Sequence, residues 1–116
     1  MSTNVYDLSY ELEKGIRDSK EYTDLQALFA EMAKDEIASK MFENFREVQM
    51  KLQQKQMAGE QITQEEVDQA QKSFQLVQQN PTIAQLIEAE QRMSMMISEL
   101  NKIIMKPLED LYGMQG

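Results

Sequence analysis

Apolar residues recur every three or four positions along almost the whole sequence, and very little interrupts that pattern. Four glycines and two prolines occur in 116 residues. A spacing of three and four places side chains on one face of an α-helix, whereas a strand requires an alternation of two. The pattern therefore predicts an all-α protein of about five helices.

The middle of the chain predicts a long antiparallel helical hairpin over about residues 35–58 and 64–80. Gly59 is suited to end the first arm, because glycine readily adopts the positive φ that follows a helix. Thr63 and Glu66 match a capping box, in which each side chain accepts a hydrogen bond from the other residue's backbone N–H. The polar turn between the arms is short, which favours an antiparallel return.

Two shorter helices are predicted before the hairpin, over about residues 4–18 and 20–34. Thr3 or Asn4 is suited to cap the first helix, and Asp35 is suited to cap the first arm of the hairpin. Because so few residues separate the second helix from the hairpin, a continuous helix with a kink is the alternative at this point.

A long C-terminal helix is predicted over about residues 81–106, with Asn80 as its cap and Pro81 in its first position. Pro107 is expected to end this helix and to leave a short terminal turn. The reason is that proline removes one helical hydrogen bond and clashes with the preceding turn. The helices are expected to form an elongated bundle, and the length predicts a single helical domain over residues 1–116.

The predicted C-terminal helix is apolar over a wider arc than one neighbouring hairpin covers. A helix with so wide an apolar arc is expected to be covered on more than one side. We therefore expect a second chain to provide part of the cover, most simply in a homodimer. The alternative is a monomer that buries the whole arc itself. The residues expected to form the interface are Met93, Met96, Ile97, Leu100, Ile103 and Ile104.

The residue inventory excludes most catalytic and metal chemistry. The chain has no cysteine and no histidine, so it lacks disulfides, thiolate ligands, and the commonest general base and transition-metal ligand. Acidic residues such as Glu65 and Glu66 are favoured in a first helical turn without any function. The methionine-rich stretch around Met95 is assigned to adaptable packing. We therefore expect no catalytic residue, no cofactor and no metal site, and a protein that is not an enzyme.

The net charge of −8 and the isoelectric point near 4.5 argue against direct binding to nucleic acid or to an anionic membrane. The N-terminal residues have no basic segment followed by an apolar one, and no stretch approaches the length of a membrane span. The expected location is the cytoplasm.

Several sequence strings resemble the YlbF/YmcA family of small helical proteins of Gram-positive bacteria. They are MFENFR at 41–46, QMKLQQKQMAG at 49–59 and TQEEV at 63–67. Within that family, the strings EAEQRMSMMISE at 88–99 and LNKIIMKPL at 100–108 point to the YheA-like branch. The resemblance extends over nearly the whole chain, from about Tyr6 to Gly113.

The resemblance implies an all-helical fold, association through helices and a regulatory role. Better-known members of the family belong to a complex that is linked to RNase Y-dependent messenger RNA processing and carries iron–sulfur clusters on cysteines. Because this chain has no cysteine, cluster binding is not carried over. We expect a non-enzymatic interaction module that docks on a protein partner. The alternative is a chaperone-like or scaffolding hairpin that grips apolar client segments.

Overall fold

The chain folds into five α-helices joined by short turns. The structure, a computed structural model, describes residues 4–115, with side chains described for residues 4–113. The helices are α1 (Val5–Asp18), α2 (Lys20–Ala33), α3 (Glu36–Met57), α4 (Gln64–Gln78) and α5 (Pro81–Gln115). No strand occurs between residues 4 and 115. The predicted all-α fold is confirmed, and α3 and α4 form the predicted hairpin.

Side-chain caps mark where the helices begin. The Asn4 side chain accepts a hydrogen bond from the Tyr6 backbone N–H at 2.8 Å, which caps α1; Thr3, the other predicted cap, lies outside the described residues. The Asp35 carboxylate accepts two hydrogen bonds from the first turn of α3, at 3.1 and 3.2 Å. Because Asp35 itself has an extended backbone, α2 and α3 are separate helices, and the alternative of one kinked helix is wrong.

The turn between α3 and α4 carries the predicted capping box. Gly59 has a φ of 73°, a left-handed conformation that glycine adopts without a steric penalty. The Thr63 hydroxyl accepts a hydrogen bond from the Glu66 N–H at 3.1 Å, and the Glu66 carboxylate accepts one from the Thr63 N–H at 3.0 Å. Lys55 near the end of α3 donates to the same carboxylate at 2.7 Å. These contacts join the two arms at their turn.

The prediction that the last helix ends near residue 106 is wrong, because α5 continues through Pro107 to Gln115. Proline inside a helix loses one hydrogen bond and strains the preceding turn, but its fixed φ is itself helical, so the chain can continue as a helix after it. Leu108, Glu109 and Leu111 follow, and residues of these types favour helix. The helix therefore resumes beyond the proline, and the expected short terminal turn is a helical extension.

By its packing, the chain divides into two units. The hairpin unit comprises Gln26–Ile87, and the terminal unit comprises the residues before Gln26 together with those after Ile87. The hairpin unit contains α3, α4, the second half of α2 and the start of α5. The terminal unit contains α1, the first part of α2 and the remainder of α5. The single domain over residues 1–116 stays a prediction.

The core of the hairpin unit is a row of aromatic rings continued by aliphatic side chains. The ring centroids of Phe29 and Phe42 lie 6.1 Å apart, those of Phe42 and Phe45 6.5 Å, and those of Phe45 and Phe74 6.1 Å. Aromatic pairs at this spacing contribute about 0.5–1.5 kcal/mol beyond their buried area. Within this row Phe42 and Phe45 are buried, whereas Phe29 and Phe74 at its ends are partly exposed. The remaining buried apolar side chains of this unit are Met32, Ala38, Val48, Val77, Ile83 and Leu86. This core holds α2, α3, α4 and the first turns of α5 together.

We predict that Thr63→Ala destabilises the protein by about 1 kcal/mol, because the cap of α4 loses its acceptor. In a chain of this size that corresponds to a fall in the melting temperature of about 3–6 °C. Thermal unfolding followed by circular dichroism measures it. Thr63→Ser keeps the hydroxyl and is the matched control. An unchanged melting temperature for Thr63→Ala would contradict the capping role.

We predict that the Lys55–Glu66 contact stabilises the folded chain and that this stabilisation is lost in acid. Hydrogen bonds from the Lys55 ammonium and the Thr63 N–H lower the pKa of Glu66 from 4.5 to about 2. Because the folded pKa is depressed, the stabilisation is present above about pH 4.5 and is lost as the pH falls towards 2. Between these pH values, the stability of Glu66→Gln should therefore fall less steeply than that of the wild type. Urea denaturation at several pH values tests this, with the exposed Glu65→Gln as control; parallel curves for Glu66→Gln and wild type would contradict it.

We predict that Ser73→Ala stabilises the hairpin unit by about 1 kcal/mol. Ser73 is buried in α4, and its hydroxyl has no hydrogen-bond partner among the described residues. A buried polar group without a partner costs about 1–3 kcal/mol, and alanine also favours helix more than serine does. Ser98→Ala, at an exposed position of α5, reports the helix preference alone. A Ser73→Ala variant less stable than the wild type in urea would contradict the prediction.

Candidate interaction surface

The second half of α5 lies exposed over an unusual length. From Asn101 to Gly113, every side chain of this helix is exposed. A helix at the surface of a domain normally buries one apolar face against a core. Here the first turns of α5 follow that rule, since Ile83 and Leu86 are buried, and the later turns do not.

The structure brings the six residues of the predicted interface together on one face of α5. At 3.6 residues per turn, they fall within an arc of about 120°. Met93, Met96 and Leu100 are half-buried, whereas Ile103 and Ile104 are 67% and 59% exposed. The six side chains therefore form a continuous apolar stripe whose C-terminal part is open to solvent. Its role as an interface stays a prediction.

Leu108 and Leu111 extend this stripe, and the sequence prediction missed them. They are 41% and 61% exposed and lie within or at the edge of the same arc. They were missed because Pro107 was expected to stop the helix. A signal was present in the sequence, because a spacing of alternating four and three residues continues from Met93 through Pro107 to Leu111. We call the whole set the α5 stripe: Met93, Met96, Ile97, Leu100, Ile103, Ile104, Pro107, Leu108 and Leu111.

The opposite face of α5 is mainly polar. It carries Gln91, Ser98, Lys102 and Glu109, with Met95 among them at 64% exposure. The helix is therefore amphipathic rather than apolar on all sides. Met95 and the α5 stripe thus lie on opposite faces of the helix.

A second apolar face lies on α1. Val5, Leu8, Leu12 and Ile16 follow the spacing of one helix face, and α1 has no buried residue. On the other side of the helix, Glu13 accepts hydrogen bonds from the Arg17 guanidinium at 3.0 and 3.2 Å, and this contact raises the pKa of the arginine. The spacing of these residues in the sequence indicates one face of a helix but gives no sign that this face remains exposed.

The hairpin unit has an apolar groove of about 260 Å³ between α3 and α4. Its lining includes Phe45, Val48 and Leu52 from α3 together with Ala70 and Phe74 from α4. Phe74 is 41% exposed, so its ring lies open at the groove while its inner edge packs near Phe45. Apolar side chains without an ionisable group suit the binding of another apolar side chain and offer no acid–base chemistry.

The described part of the chain contains no arrangement suited to holding a metal ion. No three acidic side chains within it come close enough to share one. The same described residues include no helix with the length and apolar character required to cross a bilayer. The ion pair between Lys55 and Glu66, 2.7 Å long, closes a turn between helices and lies far in sequence from the α5 stripe. The surfaces described above, on α5, on α1 and between α3 and α4, are apolar and are suited to contacts with other apolar groups.

Comparison with known proteins identifies relatives of this chain. The sequence model of a family described as "Control of competence regulator ComK, YlbF/YmcA" matches residues 5–109. The chain is 66% identical over 113 residues to UPF0342 protein YheA of Bacillus subtilis, covering 97% of each sequence. It is 48% identical over 113 residues to a UPF0342 protein of Listeria monocytogenes, again covering 97% of each.

One solved structure also shares the fold. A DUF964 protein from Bacillus stearothermophilus superimposes with a TM-score of 0.83 at 42% identity, covering 93% of this chain and 95% of the other. The helical fold, the length of the match and the family description together show that the chain belongs to the YlbF/YmcA family.

Proposed function

We propose that this chain is a non-enzymatic regulatory module that associates with its own copies and docks on a protein partner. The α5 stripe carries the proposal, because it is a continuous apolar surface with exposed residues such as Ile103 and Leu111. The family's description as controlling a competence regulator supports a regulatory role. The net charge of −8 favours a protein partner over nucleic acid.

The exposed part of the α5 stripe is a sizeable apolar surface. Its large exposed side chains are Ile97, Ile103, Ile104, Leu108 and Leu111, at 36–67% exposure. A fully exposed large side chain presents roughly 150–250 Å², so these fractions correspond to an area on the order of 400–650 Å². A standard protein–protein interface buries about 800 Å² on each partner. The exposed stripe thus supplies at least half of the surface that one partner contributes.

The groove between α3 and α4 supports a second candidate function, a chaperone-like or scaffolding hairpin. Its exposed Phe74 and apolar lining are suited to accept side chains from many different apolar segments. This function predicts many clients, whereas a regulatory module binds one or two partners in fixed proportion. The two functions also use different surfaces.

Affinity purification of the tagged chain from its own cells separates the two functions. A regulatory module should retain one or two proteins in stoichiometric amounts. Ile103→Glu, which places a charge in the apolar α5 stripe, should reduce the amount of these proteins that is retained. A broad set of unfolded proteins, lost with Phe74→Glu and retained with Ile103→Glu, would establish the chaperone-like alternative and contradict the regulatory module.

We predict that Met96→Glu combined with Ile103→Glu separates the oligomer into single chains that remain helical. Burying each apolar side chain contributes roughly 1.5–3 kcal/mol, and an unpaired carboxylate at the same place costs several kcal/mol. A dimer of micromolar affinity should not survive both changes. Light scattering measures the mass, and circular dichroism measures the helix content.

The matched control is Met95→Glu, which introduces the same charge on the opposite face of α5. It should leave the mass unchanged. Loss of helix in the double variant would place Met96 and Ile103 in the core of a single chain. A wild type that is monomeric at high micromolar concentration would contradict self-association.

A further inference from the structure

We draw no further inference here: the strongest candidate, the exposed α5 stripe along the C-terminal half of the last helix, is an unpartnered apolar helix face, and nothing in the structure shows what covers it.

Discussion

The contact between Phe45 on α3 and Phe74 on α4 is the interaction on which the hairpin unit depends. The rings lie 6.1 Å apart, and the turn that brings them together is fixed by Gly59 and by the capping box of Thr63 and Glu66. Since short isolated helices are marginal in water, the helices need such tertiary packing to be stable. The turn and the aromatic row therefore stabilise each other.

The helix α5 shows how one regular element serves two purposes. Its first turns place Ile83 and Leu86 in the core of the hairpin unit, where both are fully buried. The later turns continue the same helical spacing into solvent. Because these later turns are already helical, the backbone of the α5 stripe is ordered before any partner binds. Pre-ordering reduces the entropy lost on binding.

The chemistry available to this chain lies in its surfaces. Without histidine or cysteine, its polar contacts cap helices and close turns, as those of Asn4, Asp35 and Thr63 do. The apolar surfaces differ in what they are suited to bind. The stripe on α5 is long and regular, which favours a helical partner, whereas the groove beside Phe74 includes uncharged glutamines in its lining.

The sequence by itself determined five helices, the caps at Asp35 and Thr63, and the hairpin, because hydrogen bonds and apolar spacing within a few residues decide them. It left both Thr3 and Asn4 open as the cap of α1. Tertiary structure decided that α5 continues through Pro107, that Ser73 is buried without a partner, and that the stripes on α1 and α5 remain exposed. The same three-and-four spacing serves a core and an interface equally well. Only the packing of distant segments decides which apolar faces are covered and which remain open.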